Sequence, residues 1–543
     1  MGESKSKENK FIKGAAILAV SGLVIKVLGA VLQIPLNNWI GPQGMSYYGV
    51  AYSIYSALLV LSTAGIPIAI SRMVSEHIAV KEYRYAHHVF RTAEIIMLII
   101  GSLSFAICFF GADMIAHAIR SPEAASALRA IAPALFFVPL FSSYRGYFNG
   151  RQNMTPTALS EIAEQMVRVV VGIALAYMFY RTDPVKASAG ATFGASAGSI
   201  AGLLVIVGIY LLNRKTFMKK IERGNPDTDS MGRIAKDIFI IAVPIIIGSE
   251  IMPIMNLIDT TMIMRVLQNE GWTRVQSEYL YGLLTAFCSS IISFPYIITQ
   301  AVTVSLVPAL SGRFKVKDQQ GIQDTISQGY RTTMVIAFPC AAGIIAIAEP
   351  ILKLLYFAQP KACHDAAPIL SVMAVSIVFL SIMQTSTSIL QSVGKQMLPV
   401  RNLAIGCIGK MFATYFLVAV PALNVKGACL GTIVAYIIAM ALNARDVKKY
   451  THAKVNMDLT YLRPGLVSLV MGVCVHYIYR FVTGPLSGHS PMAVNALGCL
   501  ISILAGVVIY AVLIFAVKAI TVDELETFPM GHRLAAIARK FVR

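Results

Sequence analysis

The chain has 543 residues, of which 56% are hydrophobic and 13% charged, and its formal net charge is +19. A soluble protein carries roughly 25% charged residues, so an ordinary cytosolic enzyme, a disordered chain and a disulfide scaffold are excluded and a polytopic membrane protein remains. In such a protein basic residues accumulate at the cytoplasmic face, and the positions of the charges decide whether the excess signals nucleic acid or topology.

Stretches of about 20 mostly apolar residues, enough to cross ~30 Å of hydrocarbon, recur fourteen times. They lie near 11–35, 46–71, 92–111, 127–148, 157–180, 187–212, 238–262, 279–308, 332–350, 366–390, 399–421, 427–443, 464–479 and 493–517. The first follows a lysine-rich start and is longer than a signal-peptide core, so it reads as an uncleaved helix. Counted with the residues at their edges, the loops on one side and both termini hold 33 Lys and Arg, the other loops hold 10, and only Lys26, Arg168 and Lys410 fall within spans. The asymmetry predicts both termini in the cytoplasm and an even number of crossings. Trp39 and Trp272 fall in predicted outer loops, where such rings anchor at the headgroups. The charge excess is therefore topological, and no nucleic-acid partner is expected.

The first six spans match the next six in their punctuation. Ala132-Pro133 is answered by Ala367-Pro368, GRQNMTP (150–156) by GKQMLP (394–399), and VKASAGATFG (185–194) by VKGACLGT (425–432). An even number of spans per repeat keeps both halves in the same orientation. The fold class expected is all-α: an amino-terminal lobe over 1–212, a basic cytoplasmic linker over 213–237, a second six-helix lobe over 238–443 related to the first by pseudo-twofold symmetry, and two further helices with a cytoplasmic tail over 444–543. Gly190, Gly194, Gly198 and Gly202 form a four-residue stripe, read as close helix packing within a lobe.

No nucleotide-binding loop, metal-ligand spacing or nucleophile motif is present, so no catalytic residue, metal or cofactor is expected, and a carrier fits better than an enzyme. The eight cysteines show no paired spacing and read as unreactive thiols. Ionisable groups at mid-depth cost roughly 2.5–3.5 kcal/mol on insertion scales, so each is a functional candidate. Lys26 either faces a cavity, where its ammonium would hold a phosphate, or pairs with Glu250 between the lobes; Gln33, Asn37 and Asn38 follow it. Glu250, Asn256 and Asp259 share a span interrupted by Pro244 and Pro253 and ending at Arg265, a setting for a coupling proton or sodium ion. Glu164 precedes Arg168 by four residues, the favourable order for a helical ion pair, and a structural pair is expected there. Lys410 occupies the equivalent place in the second repeat, with no acid nearby on its own span.

Residues 25–76, 145–169, 255–267 and 281–311, and above all GIPIAIS (65–71) and NMTPTA (153–158), resemble the Gram-positive polysaccharide-transport group. That group holds stage V sporulation protein B and the MurJ-like lipid II flippases, within the multidrug/oligosaccharidyl-lipid/polysaccharide (MOP) exporter superfamily. The resemblance implies a carrier without an ATPase of its own, two extra helices forming a groove for a lipid tail, and an undecaprenyl-pyrophosphate-linked sugar moved from the inner to the outer leaflet, lipid II being the leading substrate. Lys26 matches a position where relatives carry a cavity cation; one to two turns on, where relatives often have another arginine, this chain has Gln33. On this basis the pyrophosphate would engage Lys26 and Arg265, and the sugars Gln33, Asn37, Asn256 and Gln300. The membrane potential, or Na+ or H+ at Glu250 or Asp259, would drive transport by a monomer. The same architecture also suits a cation-coupled exporter of small molecules.

Overall fold

The computed structural model describes residues 2–222, 230–484 and 490–518, with side chains from residue 17 onward apart from 19, 20, 23 and 220–222. The amino-terminal lysine side chains, linker residues 223–229 and the tail from 519 lie outside the described residues. The helices are α1 (Gly2–Thr63), α2 (Ile66–Ala79), α3 (Tyr83–Phe110), α4 (Ala112–Ile119), α5 (Ala124–Gly150), α6 (Thr155–Phe179), α7 (Pro184–Glu222), α8 (Met231–Asn269) and α9 (Arg274–Gly282). After a π-helical turn, Leu283–Cys288, come α10 (Ser289–Lys315), α11 (Gln319–Ala346), α12 (Ala348–Leu355), α13 (Pro360–Ser392), α14 (Met397–Val418) and α15 (Lys426–Thr451); a second π-turn, Asp458–Leu462, leads into α16 (Arg463–Thr483) and then α17 (Pro491–Ala516).

Helix α1 is two helices joined at Gly41, whose φ of 71° and ψ of 178° break the helical path just before Pro42. A side chain would be strained in that left-handed region. The first two predicted spans thus meet at this glycine. Twelve described segments are long and apolar enough to cross a membrane. One of them, Val24–Ala79, takes in residues 24–35 of the first predicted span and the whole of the second. The remaining predicted span is α14, which forms a helix but carries Arg401 and Lys410.

The chain divides into two compact units, Met1–Ala286 and Phe287–Arg543. In the first, α5 packs on α3, α4 and α7, and α7 packs on α6; in the second, α13 packs on α11, α12 and α15, and α15 packs on α14. The sequence repeat is therefore also a repeat of packing order. The boundary between units falls past the 213–237 linker. Helix α8, which opens the second repeat by sequence, packs on α1, α2, α3, α4 and α9 of the first unit. Helices α16 and α17, which stand outside the repeat, pack on each other, on α11 and on α12.

The glycine stripe of α7 lies directly on α6. A Cβ at Gly194 would fall 2.6 Å from the Arg168 carbonyl oxygen and 2.8 Å from the Gly172 Cα, and one at Gly190 would fall 2.8 Å from the Leu175 Cβ. Small residues let helix backbones approach in a setting where lipid supplies no hydrophobic drive between helices. Gly194→Leu should lower stability by about 1–3 kcal/mol through overpacking, read as a drop in the melting temperature of the purified protein. Gly208→Ala, at a site with nothing within 4 Å, should leave it unchanged; equal behaviour of the two variants would contradict the packing role.

Candidate substrate site and outer clasp

Lys26 stands exposed on α1, and no hydrogen bond or ion pair to it occurs among the described residues. The expected alternative, a Lys26–Glu250 pair, does not form: Glu250 is buried on α8, at 6% exposure, and its Oε1 has no hydrogen-bond partner. One turn beyond Lys26, Gly29 of α1 faces Gln165 of α6, a Cβ there falling 3.9 Å from its Nε2. Farther along, Leu32 reaches Gly172 and the Trp39 ring lies 5.1 Å from Tyr177. The two helices therefore run parallel and in contact. Gln33 is half-buried on this stretch of α1.

Asn37 departs from the sugar-binding role expected of it. It is fully buried, and its Nδ2 donates to the Ala286 carbonyl at 3.3 Å, so it ties α1 to the π-turn and is not open to a substrate in this conformation. Arg265 departs as well. Its Nε and Nη2 donate to the Ala118 carbonyl at 2.8 and 2.6 Å, capping the carboxyl end of α4, where a cation also meets the negative end of the helix dipole. Asn256 is exposed and Asp259 half-buried on α8.

Arg265 belongs to a clasp at the Trp39/Trp272 end of the first unit. Arg120 Nη1 donates to Asn269 Oδ1 at 2.6 Å and Gln268 Nε2 to the Arg120 carbonyl at 3.0 Å, while Arg274 pairs with Glu123 at 2.6 Å. At the centre is Glu278, fully buried. Its Oε1 accepts from Ser121 Oγ at 2.9 Å, and its Oε2 from the Tyr47 hydroxyl at 3.0 Å and Gln43 Nε2 at 3.4 Å. One carboxylate thus joins the turn after α1's first half, the turn before α5, and α9. Sequence reasoning missed Glu278 because it sits at the edge of a predicted span; the available signal was an acid one residue before an apolar run.

The expected Glu164–Arg168 pair is replaced by a different one. Arg145 of α5 donates from Nη2 to Glu164 Oε2 at 3.0 Å and approaches Glu161 at 3.8 Å, with its guanidinium 4.1 Å from the Phe141 ring centroid. Arg168 instead lies 5.3 Å from the Tyr52 ring centroid and donates to the Tyr48 hydroxyl at 3.4 Å. No carboxylate within 4 Å of it occurs among the described residues.

In the second unit Gln300 is half-buried on α10 and Lys410 is 3% exposed on α14. Glu349 binds Lys353 at 2.7 Å and His364 at 3.2 Å; burial raises its carboxyl pKa, but these bonds prevail and hold it below the ordinary carboxylate value. A cavity of about 590 Å³ opens among α10, α11, α16 and α17, walled by Phe294, Pro339, Ile344, Met471, Val507 and Tyr510 among others. The two helices outside the repeat thus complete an apolar groove.

The family model described as polysaccharide biosynthesis protein matches residues 11–314, more than half of the chain. The chain belongs to this family. A second model, MatE, matches residues 244–416 of the chain. It is 25% identical to the lipid II flippase MurJ of Bacillus subtilis (strain 168) over 493 residues, 88% of this chain and 89% of MurJ. It is 24% identical to stage V sporulation protein B of the same organism over 530 residues, 96% of this chain and 98% of the relative. Among solved structures, an inward-facing multidrug resistance MATE family transporter of the MOP superfamily aligns with a TM-score of 0.67 at 14% identity, covering 81% of this chain and 98% of that one. Lipid II flippase MurJ in an inward closed conformation aligns with a TM-score of 0.64 at 16% identity, covering 91% and 97%. The chain is thus a multi-pass helical membrane protein of this family, and it shares its fold with a MATE transporter of the MOP superfamily and with MurJ.

Hydrogen bonds to a charged acceptor contribute about 1.5–3 kcal/mol each, and those sharing one acceptor are coupled. Glu278→Ala should therefore lower the stability of the purified protein by at least about 2 kcal/mol, and the double variant Tyr47→Phe/Glu278→Ala should cost clearly less than the sum of the two single changes. Strict additivity would show that Tyr47 and Glu278 do not share the clasp.

Proposed function

We propose that this protein is an alternating-access flippase that carries an undecaprenyl-pyrophosphate-linked saccharide, most consistently lipid II, from the inner to the outer leaflet of a bacterial plasma membrane. It would act as a monomer with both termini cytoplasmic, without catalysis and without its own ATPase. The observation that carries the proposal is the apolar groove of about 590 Å³ built with the two helices outside the repeat. A carrier of small soluble molecules has no use for such a surface, whereas a prenyl chain needs an apolar path beside the polar one its headgroup takes. Lys26, exposed and without an ion-pair partner among the described residues, supplies a point charge for phosphate, and an inside-negative potential favours outward movement of the anionic headgroup by about 2.3 kcal/mol per charge per 100 mV.

In proteoliposomes loaded with fluorescent lipid II, Lys26→Ala should slow flipping at least about tenfold, the loss of one charge-assisted contact. Gly343→Phe should slow it while leaving the melting temperature intact, because Gly343 lines the groove and only the Met471 methyl comes within 4 Å of a Cβ there. Full rates in both variants would remove the substrate assignment.

A second possibility, cation-coupled export of small molecules, draws support from Glu250, whose buried oxygen is without a hydrogen bond. A carboxyl so placed in a membrane is a site where a proton or cation can be carried. Glu250→Gln should abolish the dependence of transport on a proton or sodium gradient. If the potential alone still drives the wild-type flux at full rate and the variant matches it, Glu250 is not the coupling group.

A further inference from the structure

Arg168 is a guanidinium inside a span whose neighbouring carboxylate has been taken. Glu164, one turn away on α6, is engaged by Arg145 at 3.0 Å, and Arg168 is left with the Tyr48 hydroxyl at 3.4 Å and the Tyr52 ring at 5.3 Å. Tyr48 and Tyr52 stack with centroids 5.9 Å apart and planes 6° from parallel, and the Tyr52 and Tyr55 rings follow at 5.6 Å. Spacings of four and then three residues put these rings in a ladder on one face of α1. A cation–π contact contributes about 0.5–2 kcal/mol, less than intramembrane placement of the charge costs on insertion scales, roughly 2.5–3.5 kcal/mol. The guanidinium is thus placed but not neutralised, and Tyr52, at 37% exposure, leaves one side of this platform open.

Its position relative to Lys26 follows from the parallel contact of α1 and α6. Lys26 lies three residues before Gly29, and Arg168 three residues after Gln165, the residue that Gly29 faces. At 1.5 Å per residue the two cations are separated by about 9 Å along the shared direction, within reach of two long side chains converging on one small dianion. Helix α7 fixes the far side of α6, since Gly194 and Gly198 admit its backbone against Arg168 and Glu164. The Arg168 Cβ itself lies against this face, 3.0 Å from where a Cβ at Gly198 would fall, and from there the guanidinium reaches the α1 tyrosines.

We propose that Arg168 is a second cationic contact for the substrate pyrophosphate, taking one phosphate while Lys26 takes the other, and that the Tyr48–Tyr52 face is its resting place between substrates. The proposal rests on the flippase assignment above and adds to it a residue on α6. A planar guanidinium with several donors binds a phosphate in two-point fashion, which suits it to telling a pyrophosphate from a monophosphate. A carboxylate partner would compete with the ligand; two neutral tyrosines do not.

The test compares binding of undecaprenyl pyrophosphate, undecaprenyl monophosphate and undecaprenol to the purified full-length protein by native mass spectrometry. The wild type should prefer the pyrophosphate. Arg168→Gln should lose about tenfold of that preference, one charge-assisted contact, Arg168→Lys should retain most of it, and undecaprenol binding should be unchanged in both. Weakening of all three lipids alike would assign Arg168 a purely structural role and overturn the proposal. Wild-type preference in Arg168→Gln would overturn it too, leaving the flippase assignment standing. Absence of any preference in the wild type would overturn that assignment and this proposal together. A readout without substitution is phenylglyoxal modification of Arg168, mapped by peptide mass: undecaprenyl pyrophosphate should protect it and undecaprenol should not, and equal modification in both would again overturn the proposal.

Discussion

The buried carboxylate of Glu278 is the interaction around which the first unit is organised. Both of its oxygens are occupied by neutral donors, Ser121 on one and Tyr47 with Gln43 on the other. A carboxylate withdrawn from water is tolerated only when such donors replace the lost hydration. The three turns that supply and carry these groups are therefore held to one another, and α8 and α9 with them. This is why a helix that belongs to the second repeat by sequence belongs to the first unit by packing.

Much of the architecture was legible in the sequence because its causes are local or periodic. Span positions follow from the length of apolar runs, and the repeat from Pro and Gly punctuation, which returns as the same packing order of α3–α7 and α11–α15. The glycine stripe was readable for the same reason: a period of four puts small residues on one helix face, and that face meets α6. The break at Gly41 needed only the Gly-Pro step.

The candidate site was less legible, and each discrepancy has the same physical origin. The i to i+4 rule assigns Arg168 to Glu164 from their own helix alone, but a guanidinium from α5 reaches Glu164 first and displaces Arg168 onto tyrosines of α1. The resemblance points Asn37 and Arg265 at a substrate, but the partners they find are the backbone carbonyls of Ala286 and Ala118, in a π-turn and at a helix end. Glu278 went unnoticed because its donors come from turns roughly 155 and 230 residues away in sequence. Local pattern states that a polar group needs a partner. It does not say from which helix the partner comes.

The π-turn at Leu283–Cys288 carries a consequence for how the two units share one continuous stretch of chain. An i to i+5 turn holds one residue more than an α-helical turn, so side chains beyond it are rotated by about 100° relative to an uninterrupted helix. Before it, the Tyr281 hydroxyl meets Thr260 at 2.7 Å; at its last residue, the Cys288 thiol reaches the Ala366 carbonyl at 3.6 Å. The extra residue acts as a phase shifter between the end of α9 and the start of α10. Its chemistry can drift, since the function lies in the count of residues. A single deletion between 283 and 288 would shift every α10 side chain by about 100° in phase relative to α9, a far larger effect than any substitution at the same positions.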